Sequence, residues 1–326
     1  MIPEEIKQVM ENQGYRFVGN HSIIKICRWT KKSIKNEGVC FKEKFYGIKS
    51  HLCCQMSPWL ACENHCIHCW RPIELDFNKL IKNREIDSPS EIIDECIKAQ
   101  RKLLSGFNID KNSKKKQLSK ANMKKYLEAQ EPMHFAISLS GEPTLYPQVG
   151  ELISELRKRG KTSFLVTNGL NPEKIMELGK KKQLPTQFTI SVNAPNEELY
   201  NKLSRSIKKD AWKKLNESLK IFSGLQCRTI LRINLIRDFN MEEKHIREYA
   251  ELIKKTRPTF IHVKGYMAIG FARKRLGYDR MPNDKEMKIF VEKLATATGL
   301  KILDIHEFSR AWVLGKNRKR LKIQKI

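Results

Sequence analysis

The chain has 326 residues, 40% of them apolar, enough to bury a large core, and no run of about 18 apolar residues that would span a membrane. Against 36 Asp and Glu stand 63 Lys and Arg, a net charge of +27 that points to a polyanion as partner. The nine cysteines are odd in number and seven of them fall between Cys27 and Cys69, which argues against disulfide staples and for metal binding in a reducing compartment.

The opening MIPEEIKQVMENQGY has neither the cationic start nor the apolar run of a secretory signal, so a soluble, cytoplasmic protein is expected. Residues 1–50 read as an N-terminal extension, in which Cys27 and Cys40 begin a C-x12-C-x12-C array that Cys53 completes. The run 53–60 reads as a first strand and leads into CENHCIHC, 62–69. After the punctuation Ser88-Pro89-Ser90 a helix is expected over 90–104. The Lys-rich stretch 107–131 reads as an insertion, and its segment KNSKKKQLSKANMKK carries seven lysines and no acid. Strands are expected at HFAISL (134–139), SFLVT (163–167), QFTISV (187–192), TILRINLI (229–236) and FIHV (260–263). Between them, helical spacing runs over 148–159, 172–181, 208–222 and 241–255, with Pro172 placed at a helix start. One more helix from Asn283 and a strand at 301–305 precede the basic tail KNRKRLKIQKI. Strand and helix alternate, which implies a parallel sheet with crossover helices, open or closed into a barrel. The expected organisation is one compact domain: extension 1–50, core 51–282 with its insertion 107–131, and C-terminal segment 283–326.

In either parallel architecture, ligands collect at the carboxyl ends of the strands. The loops there are CENHCIHC, SLSGEPT with Gly141, Glu142, Pro143 and Thr144, TNG with Asn168, and SVNAP with Ser191 and Asn193. The fifth strand adds Arg232 and Asn234 inside an aliphatic run. Four successive loops of small polar residues point to a shared polar ligand.

Steps of four and three between Cys62, Cys66 and Cys69 suit a tight loop around one compact cluster, whereas a closed zinc site wants four ligands, usually as separated pairs, with a histidine completing the set. Three thiolates leave one iron of a cubane cluster open for a small molecule. Cys62-x3-Cys66-x2-Cys69 resembles the motif of radical S-adenosylmethionine (SAM) enzymes. That resemblance implies a [4Fe-4S] cluster whose fourth iron takes SAM, with His68 against the adenine, GEPT at the methionyl amino group, and Ser191, Asn193 and Asn234 at ribose or carboxylate. Cys27, Cys40 and Cys53 read as the ligands of a second such cluster, with Cys54 as rival to Cys53. Cys54, Cys96 and Cys227 otherwise read as core residues.

The two cysteine arrays, with SPWLACENHCIHCWRP, SLSGEPTLYP, LVTNG, SVNAP and VKGYMAIGFARKRL, resemble over nearly the whole chain the wyosine-forming tRNA enzymes, the tRNA 4-demethylwyosine synthases. The resemblance implies a partial (β/α)6 TIM-like barrel of the radical SAM type in an archaeal, single-domain form. It implies that N1-methylguanosine next to the anticodon of tRNA-Phe is condensed with pyruvate, with SAM and two [4Fe-4S] clusters as cofactors. An external flavodoxin- or ferredoxin-type electron donor and a monomeric state are expected with it. Pyruvate would be held by the second cluster or by a lysine imine, for which Lys42 and Lys44 are the candidates and the family pattern favours Lys42. Arg273, Lys274 and Arg275, beside Tyr266 and Phe271, together with Lys114, Lys115 and Lys116, are the expected tRNA contacts. The competing readings are another two-cluster radical SAM RNA modifier of the methylthiotransferase kind, and a zinc-bearing RNA-binding protein.

Overall fold

The computed structural model describes residues 4–75, 77–81, 84–108 and 121–323. They form two compact units: residues 1–61, 77–165 and 322–326 make the first, and residues 62–76 and 166–321 the second.

The first unit begins with α1 (Glu4–Asn12), a hairpin of β1 (Tyr15–Val18) and β2 (Ser22–Lys25), and the short helices α2 (Arg28–Ile34) and α3 (Phe41–Tyr46). It continues through β3 (Cys53–Ser57), α4 (Phe77–Ile81), α5 (Pro89–Leu104), α6 (Met123–Glu128), β4 (His134–Ile137), α7 (Val149–Lys158) and β5 (Thr162–Thr167). Its strands lie in the order β1-β2-β3-β4-β5. β2 meets β3 antiparallel, while β3/β4 and β4/β5 are parallel, with Cys53 opposite His134. The first strand stops at Ser57, short of the expected Leu60, because Pro58 has no N–H to give to a ladder. α5 starts where Ser88 and Glu91 form a reciprocal capping box ahead of Pro89. Phe135, Ile137, Leu152 and Leu156 are sealed from solvent, and each such side chain contributes about 1.5–3 kcal/mol.

The second unit runs through α8 (Pro172–Lys180), β6 (Gln187–Ser191), α9 (Glu197–Ser204), α10 (Ala211–Phe222), β7 (Arg228–Leu235), α11 (Glu243–Thr256), β8 (Phe260–Gly265) and α12 (Ala272–Leu276). It closes with α13 (Asp284–Thr298), β9 (Lys301–His306) and β10 (Ala311–Gly315). β6, β7 and β8 are parallel neighbours; β10 then pairs antiparallel with both β8 and β9. In β7, Leu231, Ile233 and Leu235 are buried on one face while Arg232 and Asn234 share the other, as the two-residue period of a strand requires. Among the described residues no helix is long and apolar enough to cross a membrane.

Candidate metal centres

The loop bearing Cys62, Cys66 and Cys69 is fixed from several sides within the second unit. Its backbone zips onto the residues after α9: His65 N donates to Arg205 O at 3.3 Å, Ile67 N to Leu203 O at 3.0 Å, and Ile207 N to Glu63 O at 2.9 Å. Glu63, almost fully buried, accepts from Asn168 and Asn171 at 3.3 Å each and from Lys208 at 3.1 Å. Arg71, also buried, donates to Asn64 O at 2.6 Å. Arg275 reaches the loop from α12, donating to Ile67 O at 3.0 Å, to Arg71 O at 3.3 Å, to Cys69 O, and to Glu74 at 2.6 Å. Its guanidinium thus bonds the cysteine loop at three main-chain carbonyls and one carboxylate.

Burial raises the Cys66 thiol, and the neighbouring Cys69 and Cys62 add to the shift. The Arg71 guanidinium sits among the same three sulfurs, which hold its charge in place against the cost of burial. Asn168 donates to Cys62 Sγ at 3.8 Å. His68 Nδ1 is buried with no hydrogen-bond partner, and burial, followed by the charges of Arg232 and Arg275, pushes the imidazole down to about 4. Arg232 donates to Ser191 Oγ at 2.8 Å, and burial lowers it to about 10, offset in part by Cys66. Asn193 and Asn234 have their main-chain carbonyls tied down by Asn240, which donates to them at 2.8 and 2.9 Å; Tyr249 OH also donates to Asn193 O at 2.9 Å.

In the first unit, Cys27 and Cys40 occupy the N-cap positions of α2 and α3, and Cys53 opens β3. Ser50 ties the three segments together. Its Oγ accepts from Cys40 N at 2.8 Å, its N donates to Glu43 at 2.7 Å, and its carbonyl accepts from Thr30 Oγ1 at 3.0 Å. Lys42 Nζ lies 3.5 Å from Cys53 Sγ and 5.1 Å from the ring of Phe164. Burial alone would lower the Lys42 ammonium, but Cys53, Cys40 and Cys27 together shift it upward. Burial likewise raises Cys27, with Cys53 adding, and pushes Cys40 up to about 12. Thiols held this high bind metal only as thiolates, releasing their protons to solvent as the metal binds. Cys54, next along the strand, is fully buried, and its free thiol, raised by burial and then by a hydrogen bond with Cys96 on α5, forms no disulfide. Cys227 is half-buried.

Two of the expected groups separate. Lys44 lies exposed on α3, its carbonyl accepting from Lys322 Nζ at 2.9 Å, while Lys42 turns inward. In GEPT, Glu142 is buried, accepts from Thr144 N at 3.0 Å and Thr144 Oγ1 at 2.7 Å, and donates its own N–H to Ala61 O at 2.7 Å. Gly141 has φ +68°, and a Cβ there would press on the carbonyls of Trp59 and Leu60. Arg273 and Lys274 are exposed, Lys274 over the Phe271 ring at 5.6 Å. Lys114, Lys115 and Lys116 lie outside the described residues.

Among the described residues no three Cys, His, Asp or Glu side chains converge as ligands of a single metal ion do. Three free cysteines in each set are the kind of donor a cubane iron–sulfur cluster takes, so the chemistry of the donors fits that group. The partnerless His68 Nδ1 and the half-buried Arg232, whose only described hydrogen-bond partner is a serine, fit a polar cofactor beside them.

Residues 56–250 match the radical SAM superfamily, and residues 255–324 match the wyosine base formation family. The S-adenosyl-L-methionine-dependent tRNA 4-demethylwyosine synthase of Pyrococcus abyssi is 43% identical over 311 residues, covering 95% of this chain and 88% of the relative. The enzyme of the same name from Methanocaldococcus jannaschii is 34% identical and covers 98% of both chains. Among solved structures, TYW1 with a lysine–pyruvate adduct bound superposes with a TM-score of 0.84 at 34% identity, covering 99% of this chain and 98% of that one. The α/β fold is thus that of the radical SAM type. With both family signatures present and its relatives matched almost end to end, the chain belongs to the radical SAM family of tRNA 4-demethylwyosine synthases.

Proposed function

We infer that the protein converts N1-methylguanosine next to the anticodon of tRNA-Phe, with pyruvate, into the tricyclic 4-demethylwyosine. Cys62, Cys66 and Cys69 would hold a [4Fe-4S] cluster and leave one iron for SAM. When bound, cluster and SAM supply the carbon radical that removes hydrogen from the N-methyl group. The chain's own part is positioning: Glu63, Arg71 and Arg275 hold the loop, the neutral His68 ring lies beside the SAM site, and Arg232 offers a guanidinium to a carboxylate. Cys27, Cys40 and Cys53 would hold a second cluster. Lys42 is the pyruvate-reactive amine: the ammonium that the cysteines favour must first release a proton, after which the free Nζ attacks the carbonyl carbon and its two remaining protons leave with the carbonyl oxygen as water when the imine forms.

One observation carries this assignment, the placement of Lys42 Nζ 3.5 Å from Cys53 Sγ amid three cysteines while Lys44 faces solvent. Electrons come from an external flavodoxin- or ferredoxin-type donor, and the protein acts as a cytoplasmic monomer. The division into extension 1–50, core 51–282 and C-terminal segment 283–326 stays part of this proposal.

Anaerobic incubation with SAM, a reductant, pyruvate and tRNA bearing N1-methylguanosine, followed by nucleoside mass analysis, tests the reaction. Borohydride added with pyruvate should fix a reduced adduct on Lys42 in the wild type and in Lys44→Ala, and none in Lys42→Ala. An adduct on Lys44, or none on any lysine, would remove Lys42 from the mechanism.

A further inference from the structure

Beside the second set of cysteines lies a feature that the reaction leaves unused. Lys25, Arg28, Lys31, Lys32 and Lys35 line a groove of about 310 Å³ with a single acid, Glu37. Four of them occupy positions 28, 31, 32 and 35, the i, i+3, i+4, i+7 stripe of one helical face. Among the described residues none of the five is ion-paired with a carboxylate, and Arg28, Lys31 and Lys35 are exposed. Arg28 and Lys32 lie 5.9 and 5.7 Å from the Trp29 ring, and Lys35 lies 5.9 Å from that of Phe107, so three cations rest on aromatic faces.

The helix under the stripe is anchored. Ile34 and Ile26 pack with Leu104, Tyr126 and Ala129, and the chain entering α6 grips α2 through Asn122 N to Ile34 O at 2.7 Å and Lys125 Nζ to Ser33 O at 3.2 Å. A rigid row of like charges without acidic partners costs free energy until an anion covers it. The row extends roughly 10 Å along the helix axis, long enough for two or three successive phosphates of one strand. A membrane surface would need apolar side chains free to insert beside the cations; Ile26 and Ile34 are buried, and the half-buried Trp29 ring is covered by Arg28 and Lys32.

We propose that the α2 stripe grips the phosphate backbone of the substrate tRNA. Arg28 follows Cys27 directly, so a strand lying on the stripe runs up to the cysteines beside Lys42, where pyruvate would be held. This rests on the tRNA-modifying reading above.

The test compares a variant with Arg28→Gln, Lys31→Gln, Lys32→Gln and Lys35→Gln against one with Lys254→Gln, Lys255→Gln, Lys285→Gln and Lys288→Gln, which removes the same charge from exposed positions of α11 and α13. Binding of tRNA bearing N1-methylguanosine is measured from low to moderate salt, with circular dichroism and iron content confirming that each protein is folded and loaded. Each lost phosphate contact lowers the log–log salt slope by about 0.7–0.9, so three lost contacts weaken binding at 0.1 M salt on the order of 10²-fold. The α11/α13 variant should keep the wild-type slope. If the fourfold α2 variant misfolds, Lys31→Gln with Lys35→Gln should still lower the slope by about 1–2. An α2 variant that binds like its control overturns the proposal, as does loss of binding to anionic phospholipid vesicles with tRNA binding intact. A wild-type protein that binds no tRNA overturns the tRNA reading itself, and the stripe's role with it.

Discussion

Arg275→Ala should loosen the cysteine loop without unfolding the strands around it. The side chain is only 14% exposed and donates to the main-chain carbonyls of Ile67, Cys69 and Arg71. A hydrogen bond from a charged donor contributes about 1.5–3 kcal/mol and a neutral one about 1, so allowing for partial rehydration the three together stabilise the loop by about 3 kcal/mol. The ion pair to Glu74 adds under about 1 kcal/mol, since that carboxylate is 55% exposed. At 1.4 kcal/mol per factor of ten, 3 kcal/mol raises the open population of the loop about 10²-fold. Hydrogen exchange read by mass spectrometry in the metal-free protein should show the Ile67 and Cys69 amides exchanging faster by about that factor. The β6 and β7 amides should be unchanged, and less iron should be retained after anaerobic reconstitution. Arg275→Lys should recover little, because an ammonium cannot serve three diverging carbonyls with a planar fork. Wild-type exchange and full iron loading in Arg275→Ala would refute the clamp.

Gly141→Ala should destabilise by about 2–4 kcal/mol, from the left-handed φ of +68° and from overlap with the Trp59 and Leu60 backbone. Gly299→Ala, with a left-handed φ of +67° but open space around it, should show only the backbone share, so equal losses of stability for the two would remove the overlap argument. If the proposed second cluster is held as above, Cys53→Ala should lower the iron content, whereas Cys54→Ala should leave it at the wild-type level and cost about 1–2 kcal/mol for the small void beside Cys96. Iron loss in Cys54→Ala alone would exchange the two roles.

Much of the fold was legible because its signals are local. The β-branched runs, Pro172, and the Ser88-Pro89 start of α5 each announce an element within a few residues. The opening hairpin has a signal too, the β-rich pair YRFV and SIIK around Gly19, and β10, the run AWVLG, is as long as β3 and β6, but neither belongs to the strand–helix alternation that makes the other strands legible. At the metal centres the cysteines stood out by spacing, but their supports did not. Arg275 read as part of a basic surface because its partners lie more than 200 positions away, as with Cys69 O at 206. Glu63 and Ser50 are ordinary in sequence, and only folding brings Asn168, Asn171 and Lys208 to the one, and Thr30, Cys40 and Glu43 to the other. The choice between Cys53 and Cys54 also needs strand orientation, since neighbours on a strand face opposite sides.

The loop 62–76 belongs to a unit whose remaining residues, 166–321, come far later in the chain. On the ribosome its three cysteines emerge before any partner that shapes it: Asn168 is about a hundred residues away, the 203–207 segment follows, and Arg275 comes last. Until α12 leaves the exit tunnel the loop lacks the Arg275 clamp, so its thiols are held less firmly at a fixed spacing. A nascent chain stalled before Ala272 would carry the complete motif with its last support still missing.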